Sequence, residues 1–256
     1  MYFGLKHLPE RTEKPRNTGF TMVMDKGLSL RQAEDFLSTC EPYTDIIKLG
    51  FGTAVFTPNL DKKLALYREA GVPYYFGGTL FEAFIARGQF EDFRKLIDRY
   101  QLEFAEVSDG SLEIPHDEKC GYVSKLSEQV KVLSEVGSKD IEKIIAPYKW
   151  IELMNAELEA GAYKLIAEAR ESGTVGIFRR TGEVRSGLID EIMTKVDRDK
   201  IIWEAPQKSQ QVWFIKFVGS NVNLGNIAPV EVIPLETLRM GLRGDTFEQF
   251  LPKDLS

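Results

Sequence analysis

Residues 199–215 read DKIIWEAPQKSQQVWFI: a short apolar run, then Glu204, a proline, and a cluster of amides opening a helical stretch. An apolar run of this length, without alternation, reads as a strand buried on both faces, as in parallel sheets covered by helices. A carboxylate at the end of such a strand is costly to desolvate unless a partner meets it. The strand–turn–helix unit raises the question of fold, and Glu204 raises the question of function.

The unit recurs along the chain. Strand candidates are Phe20–Met24, Asp45–Leu49, Pro73–Phe76, Glu103–Val107, Lys131–Val136, Tyr163–Ala169, Lys200–Ala205 and Asn221–Asn226. Helical stretches lie between them. SLRQAEDFLSTC starts at a plausible N-cap, Ser29, and TPNLDKKLALYREAG has proline near its start and Gly71 at its end. TLFEAFIARGQFEDFRKLIDRY reads as one long helical stretch, and PVEVIPLETLRMGL as the last. Eight strand–helix pairs predict a single α/β (β/α)8 TIM barrel over residues 1–256, with a short N-terminal extension, 1–18. An open doubly wound sheet is the alternative, but it would favour a GxGxxG turn after the first strand, and none occurs.

Composition narrows the function. The chain has 256 residues, 43% hydrophobic and 28% charged with both signs mixed, as in a soluble globular protein. A net charge of −6 argues against nucleic acid or an anionic membrane as the main partner. No apolar run reaches membrane-span length, and the first residues lack a signal-peptide shape, so a cytoplasmic location is expected. Cys40 and Cys120 lack metal-type spacing, and His7 and His116 are the only histidines. A histidine-based zinc site or a Ser-His triad is therefore not expected.

In a barrel the working face is the C-terminal end of the strands. Those ends carry Asp25 and Lys26, Lys48, Glu106 with Asp109, Glu135 with Lys139, Glu168 with Arg170, and Glu204 with Lys208. Glu106, Glu135, Glu168 and Glu204 follow their apolar runs in the same phase, at spacings of 29, 33 and 36 residues. Gathered at one mouth, four carboxylates repel one another unless a cation sits among them. All-oxygen donors suit Mg2+, with Asp25 and Asp109 nearby, and Lys26, Lys48, Lys139 and Arg170 add charge for an anionic substrate. Any one such acid could equally be paired to a neighbouring Lys or Arg; four at one phase favour a polar active site. The glycine turns KLGFGT and YFGGT could admit an anion or be ordinary turns. VNLGNIAP, with Asn223, Gly225 and Asn226, has the form of a phosphate-binding barrel end. Arg239 and Arg243 could clamp an anion or tie down the tail.

KPRNTGFTMVMDKGL, DIIKLGFGT, YYFGGTLFEAF, AEVSDGS, LSEVGSKD, EARESG, IIWEAPQKSQQVWFI, NVNLGNIAPVEVIPLETLR and GLRGDT together resemble the phosphosulfolactate synthase family, from about Lys14 to Thr246. The chain also resembles barrel proteins associated with heat stress in plants. The synthase resemblance implies Mg2+-dependent addition of sulfite to phosphoenolpyruvate through an enolate-like aci-carboxylate, as a step toward coenzyme M or another sulfonate. It also implies a homo-oligomer, with a trimer suggested. In that chemistry a positioned acid protonates the carbon next to the carboxylate. Lys139 is the first choice for this acid, with Lys26, Lys48 and Lys208 as further candidates. The competing expectations are a non-catalytic interaction protein on the same barrel and another Mg2+-dependent enzyme acting on a phosphorylated enol or keto acid.

Overall fold

A computed structural model describes residues 3–138 and 145–255. It contains eight strands: β1 Thr21–Asp25, β2 Ile46–Leu49, β3 Tyr74–Phe76, β4 Phe104–Val107, β5 Lys131–Val136, β6 Lys164–Ala167, β7 Ile201–Glu204 and β8 Leu224–Ile227. The strands pair in parallel in the order β3-β2-β1-β8-β7-β6-β5-β4. β3 and β4 close the ring as neighbours, with no hydrogen-bonded ladder between them among the described residues. The architecture is the expected (β/α)8 TIM barrel.

The helices are α1 Leu30–Cys40, α2 Leu60–Glu69, α3 Gly78–Ile85, α4 Phe90–Tyr100, α5 His116–Ser127, α6 Pro147–Glu159, α7 Ser186–Met193, α8 Lys208–Val218 and α9 Val232–Arg239. Ser29 caps α1, accepting from Gln32 N–H while the Gln32 side chain accepts from Ser29 N–H, which pairs two otherwise orphaned donors. The stretch expected as one helix after β3 is two, α3 and α4. Gly88 turns between them at φ +66°, a conformation open to glycine but not to a continuing helix.

Two apolar layers hold the barrel. One lies between the strands and the helices, around Phe81, Trp150, Trp203 and Phe214. The other fills the barrel itself with Phe20, Met22, Ile46, Tyr75, Phe104, Leu133, Ile166 and Ile202. β8 contributes Gly225 to this interior. A Cβ there would come within 2.5 Å of Met22 Cε and 3.0 Å of Ile202 Cγ2, so the glycine makes room for the neighbouring side chains. It is a packing residue, not part of an anion-binding turn.

The N-terminal segment and α9 secure the opposite end. Arg11 pairs with Glu236 at 2.8 Å, Arg16 with Asp45 at 2.8 Å, and Thr12 N–H donates to Asn221. Arg239 is fully buried there and donates to the carbonyls of Ser220 (2.6 Å) and Val222 (2.7 Å). Asn223 also sits at this end, before β8, accepting from Phe20 N–H and donating to the carbonyls of Asp199 and Ile201. The structure therefore corrects the assignment of Asn223 and Arg239 to substrate binding. β8 begins three residues later than expected, which leaves Asn223 just before its strand.

Replacing Arg239 with methionine should strand these carbonyls and cost about 2–4 kcal/mol of stability. Urea denaturation would measure it, and a loss below about 0.5 kcal/mol, the range of an ordinary surface change, would contradict the role.

Candidate active site

Side chains two residues apart on a strand share a face. The interior residues Ile46, Phe104, Leu133, Ile166 and Ile202 therefore put Lys48, Glu106, Glu135, Glu168 and Glu204 one layer higher, facing inward at the C-terminal mouth. All five are buried. The apolar plug becomes the floor of a polar pocket of about 440 Å³, lined by these five residues together with Phe51, Gly77, Gly78, Ser111, Arg170 and Asn226, among others.

Lys48 is the centre of the site. Its Nζ lies 2.9 Å from Glu106 Oε2, 3.5 Å from Glu204 Oε1 and 3.7 Å from Glu135 Oε2. Burial pulls the ammonium toward its neutral form, but Glu106, Glu204 and Glu135 outweigh it, and its pKa rises above that of an ordinary lysine. Lys48 is thus a fixed cation.

Each acid is also held by its surroundings. Glu106 accepts from Tyr75 Oη–H at 2.8 Å and from Gly78 N–H at 2.7 Å. A Cβ on Gly78 would fall 2.6 Å from Glu106 Oε1 and 2.2 Å from Ser108 Oγ, so only glycine lets the backbone of α3 come this close. Glu204 accepts from Ala169 N–H at 3.0 Å, and Glu168 from Arg170 N–H. Burial pushes the Glu204 carboxyl up to about 7; Lys48 and the Ala169 N–H oppose the rise, while Glu135 and Glu106 add to it. Tyr75 is pushed far above the usual tyrosine range by burial and by Glu106, so it stays a hydrogen-bond donor.

The remaining sequence candidates divide clearly. Arg170 is exposed at the mouth, at φ +55°, and Asn226 lines the pocket at φ +56° with its Oδ1 buried and unmatched by a donor among the described residues. Lys26, 44% exposed, pairs with Glu171 at the rim. Asp25 does not line the pocket: its carboxylate is taken by Lys63 (2.5 Å), Tyr67 Oη–H (2.9 Å) and the N–H groups of Gly27 and Leu28. Asp109 is paired to Lys119 at 2.9 Å, behind β5. Lys208 and Arg243 both face Asp245, at 2.7 and 3.9 Å, away from the pocket lining. Lys139 lies outside the described residues.

Sequence reasoning missed Tyr75 and Glu82. Tyr75 pairs in register with Lys48, so its phase was a usable signal, although the hydroxyl partner was not. Glu82, on α3, accepts from Ser108 Oγ–H, Ser111 N–H (2.6 Å) and Leu112 N–H (2.7 Å). That folds the loop after β4 and brings Ser111 to the pocket. Nothing local in the helix marks this role.

Among the described residues no three acids, histidines or cysteines converge closely enough to cage a metal. Mg2+, however, keeps several waters and commonly takes only one or two carboxylates together with substrate oxygens. The all-oxygen donors Glu135 and Glu168, both in the pocket lining, fit that demand. No helix among the described residues is long and apolar enough to cross a membrane.

Comparison with known proteins follows the same lines. A family profile described as (2R)-phospho-3-sulfolactate synthase (ComA) matches residues 9–245. Phosphosulfolactate synthase of Bacillus subtilis (strain 168) is 41% identical over 243 residues, covering 94% of this chain and 96% of that protein. The enzymes of the same name from Methanothermobacter thermautotrophicus and Methanocaldococcus jannaschii are 42% and 43% identical. They cover 93% and 90% of this chain, and 95% and 94% of their own lengths. Among solved structures, 3-hexulose-6-phosphate synthase from Salmonella typhimurium superposes with a TM-score of 0.56 at 12% identity, covering 88% of this chain and all of that one. This last likeness speaks to the fold alone.

The raised Glu204 carboxyl has a stability consequence. Between its ordinary value of 4.5 and about 7, the folded chain holds a proton that the unfolded chain has released, so this contribution to stability falls as pH rises through that window. In chelator-treated protein, Glu204→Gln should remove the dependence and be the more stable form at pH 8 by about 1–3 kcal/mol. Urea denaturation at several pH values would check it; parallel wild-type and variant curves would refute the shift.

Proposed function

The chain belongs to the (2R)-phospho-3-sulfolactate synthase family, and from that premise we propose that it adds sulfite to phosphoenolpyruvate, giving (2R)-2-O-phospho-3-sulfolactate. The observation that supports this most is the pocket floor, where a permanently charged Lys48 sits among buried acids beneath an exposed Arg170. Burying four acids and a lysine is costly, and a non-catalytic scaffold has no use for them.

In this reading the sulfite sulfur attacks the methylene carbon of phosphoenolpyruvate. A C–S bond forms, and the double-bond electrons move onto the substrate carboxylate as an aci-carboxylate. A proton delivered to the adjacent carbon then restores the carboxylate. Arg170 and Lys48 supply positive charge for the anionic groups. Mg2+, held by Glu135 and Glu168, would supply further stabilisation of charge on the substrate carboxylate. The proton is assigned first to Lys139. The alternative is Glu204, whose pKa near 7 suits proton transfer at neutral pH.

Purified protein given phosphoenolpyruvate, sulfite and Mg2+ should form phosphosulfolactate, detectable by mass spectrometry, and chelation should abolish it. No product, or full activity after chelation, would sink the corresponding part of the reading. Lys139→Ala should lower kcat by about 10²- to 10⁴-fold with the fold intact. A KM effect instead would make Lys139 an anion-holding residue, and unchanged kinetics would pass the proton to Glu204.

A further inference from the structure

The amides at the head of α8 lie behind the longest loop of the barrel mouth, residues 168–185 between β6 and α7. This loop folds back on itself. Ile177 N–H donates to Glu168 O at 3.1 Å, and Phe178 bridges Val184 in antiparallel fashion. Its first turn carries Arg170, Glu171 and Ser172 to the pocket wall. Arg170 is the exposed cation of that wall, and among the described residues its guanidinium has no ion-pair partner.

Gln210, 1% exposed, grips this loop from α8. Its Nε2 donates to Gly173 O at 2.7 Å and to Gly182 O at 3.2 Å, while its Oε1 accepts from Gln207 N–H at 3.1 Å. Gln207 Nε2 donates to Ser172 O at 2.6 Å. The loop is shaped to receive the grip: Gly173 stands at φ +64°, and a Cβ there would lie 2.5 Å from Gln210 Nε2. A carboxylate at position 210 could not donate, and an apolar side chain would leave two carbonyls unmatched.

We propose that Gln210 is a positioning residue for the reaction: by tying Gly173 and Gly182 to the head of α8, it fixes the backbone from which Arg170 meets an anionic group of the substrate. The inference rests on the reading of the pocket as a phosphoenolpyruvate and sulfite site. Gln210 touches no substrate and acts through Arg170.

Steady-state kinetics and limited proteolysis test it together. Gln210→Leu should raise KM for one of the two anions by about tenfold, the loss expected for one charge-assisted contact, with kcat within about threefold. In an Arg170→Ala background the same substitution should add less than about twofold, because the two act through one contact. Gly173→Ala disturbs the grip from the loop side and should reproduce the pattern, which keeps the test open if Gln210→Leu does not fold. Trypsin cleavage after Arg170 in the folded protein should quicken by about tenfold or more in either variant as the loop loosens. An unchanged KM in a folded variant, full additivity with Arg170→Ala, or an unchanged cleavage rate would overturn the proposal. A wild-type protein that forms no phosphosulfolactate would overturn the reading of the pocket instead, and the cleavage rates would still decide whether Gln210 holds the loop.

Discussion

Lys48 stands where negative charge from three strands converges, and little of its side chain reaches solvent. Two opposite charges 4 Å apart interact by about 4 kcal/mol at an effective dielectric of 20, several times their value in water. Removing Lys48 would leave its acids uncompensated, and breaking such a buried pair typically costs about 3–5 kcal/mol. β2, β4, β5 and β7 must therefore keep a fixed mutual height, and the apolar plug below them sets that height. Ile46, Phe104, Leu133 and Ile202 are as much a part of the site as the charges two residues above them.

Much of this was legible in the sequence, because two periodicities are strong. Strand–helix alternation gave all eight strands, and the two-residue phase within strands brought Lys48 and the four glutamates to one mouth. Legibility ended where position depends on partners distant in sequence. Asp25 looks like Glu204 as a strand-end acid, yet Lys63 and Tyr67 from α2 claim it. Asp109 is claimed in the same way by Lys119 of α5. Tyr75 in an apolar run reads as core, and it is core; that its hydroxyl meets Glu106 depends on a strand thirty residues on. Asn223 was misplaced because β8 starts three residues later than expected, which leaves it before the strand rather than inside it.

The cation demanded by the clustered acids shows how a correct physical requirement can admit more than one answer. The sequence suggested a metal. The fold brings a lysine among the same carboxylates, leaving Glu168 as the one of the four without a Lys48 ion pair. A lysine that pins three acids also keeps them apart and oriented when no substrate is present, so the pocket is arranged before it binds anything.

Among the described residues the ring of strands lacks a ladder between β3 and β4, and Glu106 spans that gap: its carboxylate, carried by β4, is bonded to Tyr75 of β3 and to the first backbone N–H of α3. One side chain thus serves as a rivet of the barrel and as part of the pocket lining. Barrel closure and the shape of the pocket wall rest on the same atoms there. The wall built from the long loop after β6 carries no strand-to-strand closure. A change in the Glu106 side chain therefore alters the barrel seam and the pocket together, whereas a change in the loop after β6 alters the pocket wall alone.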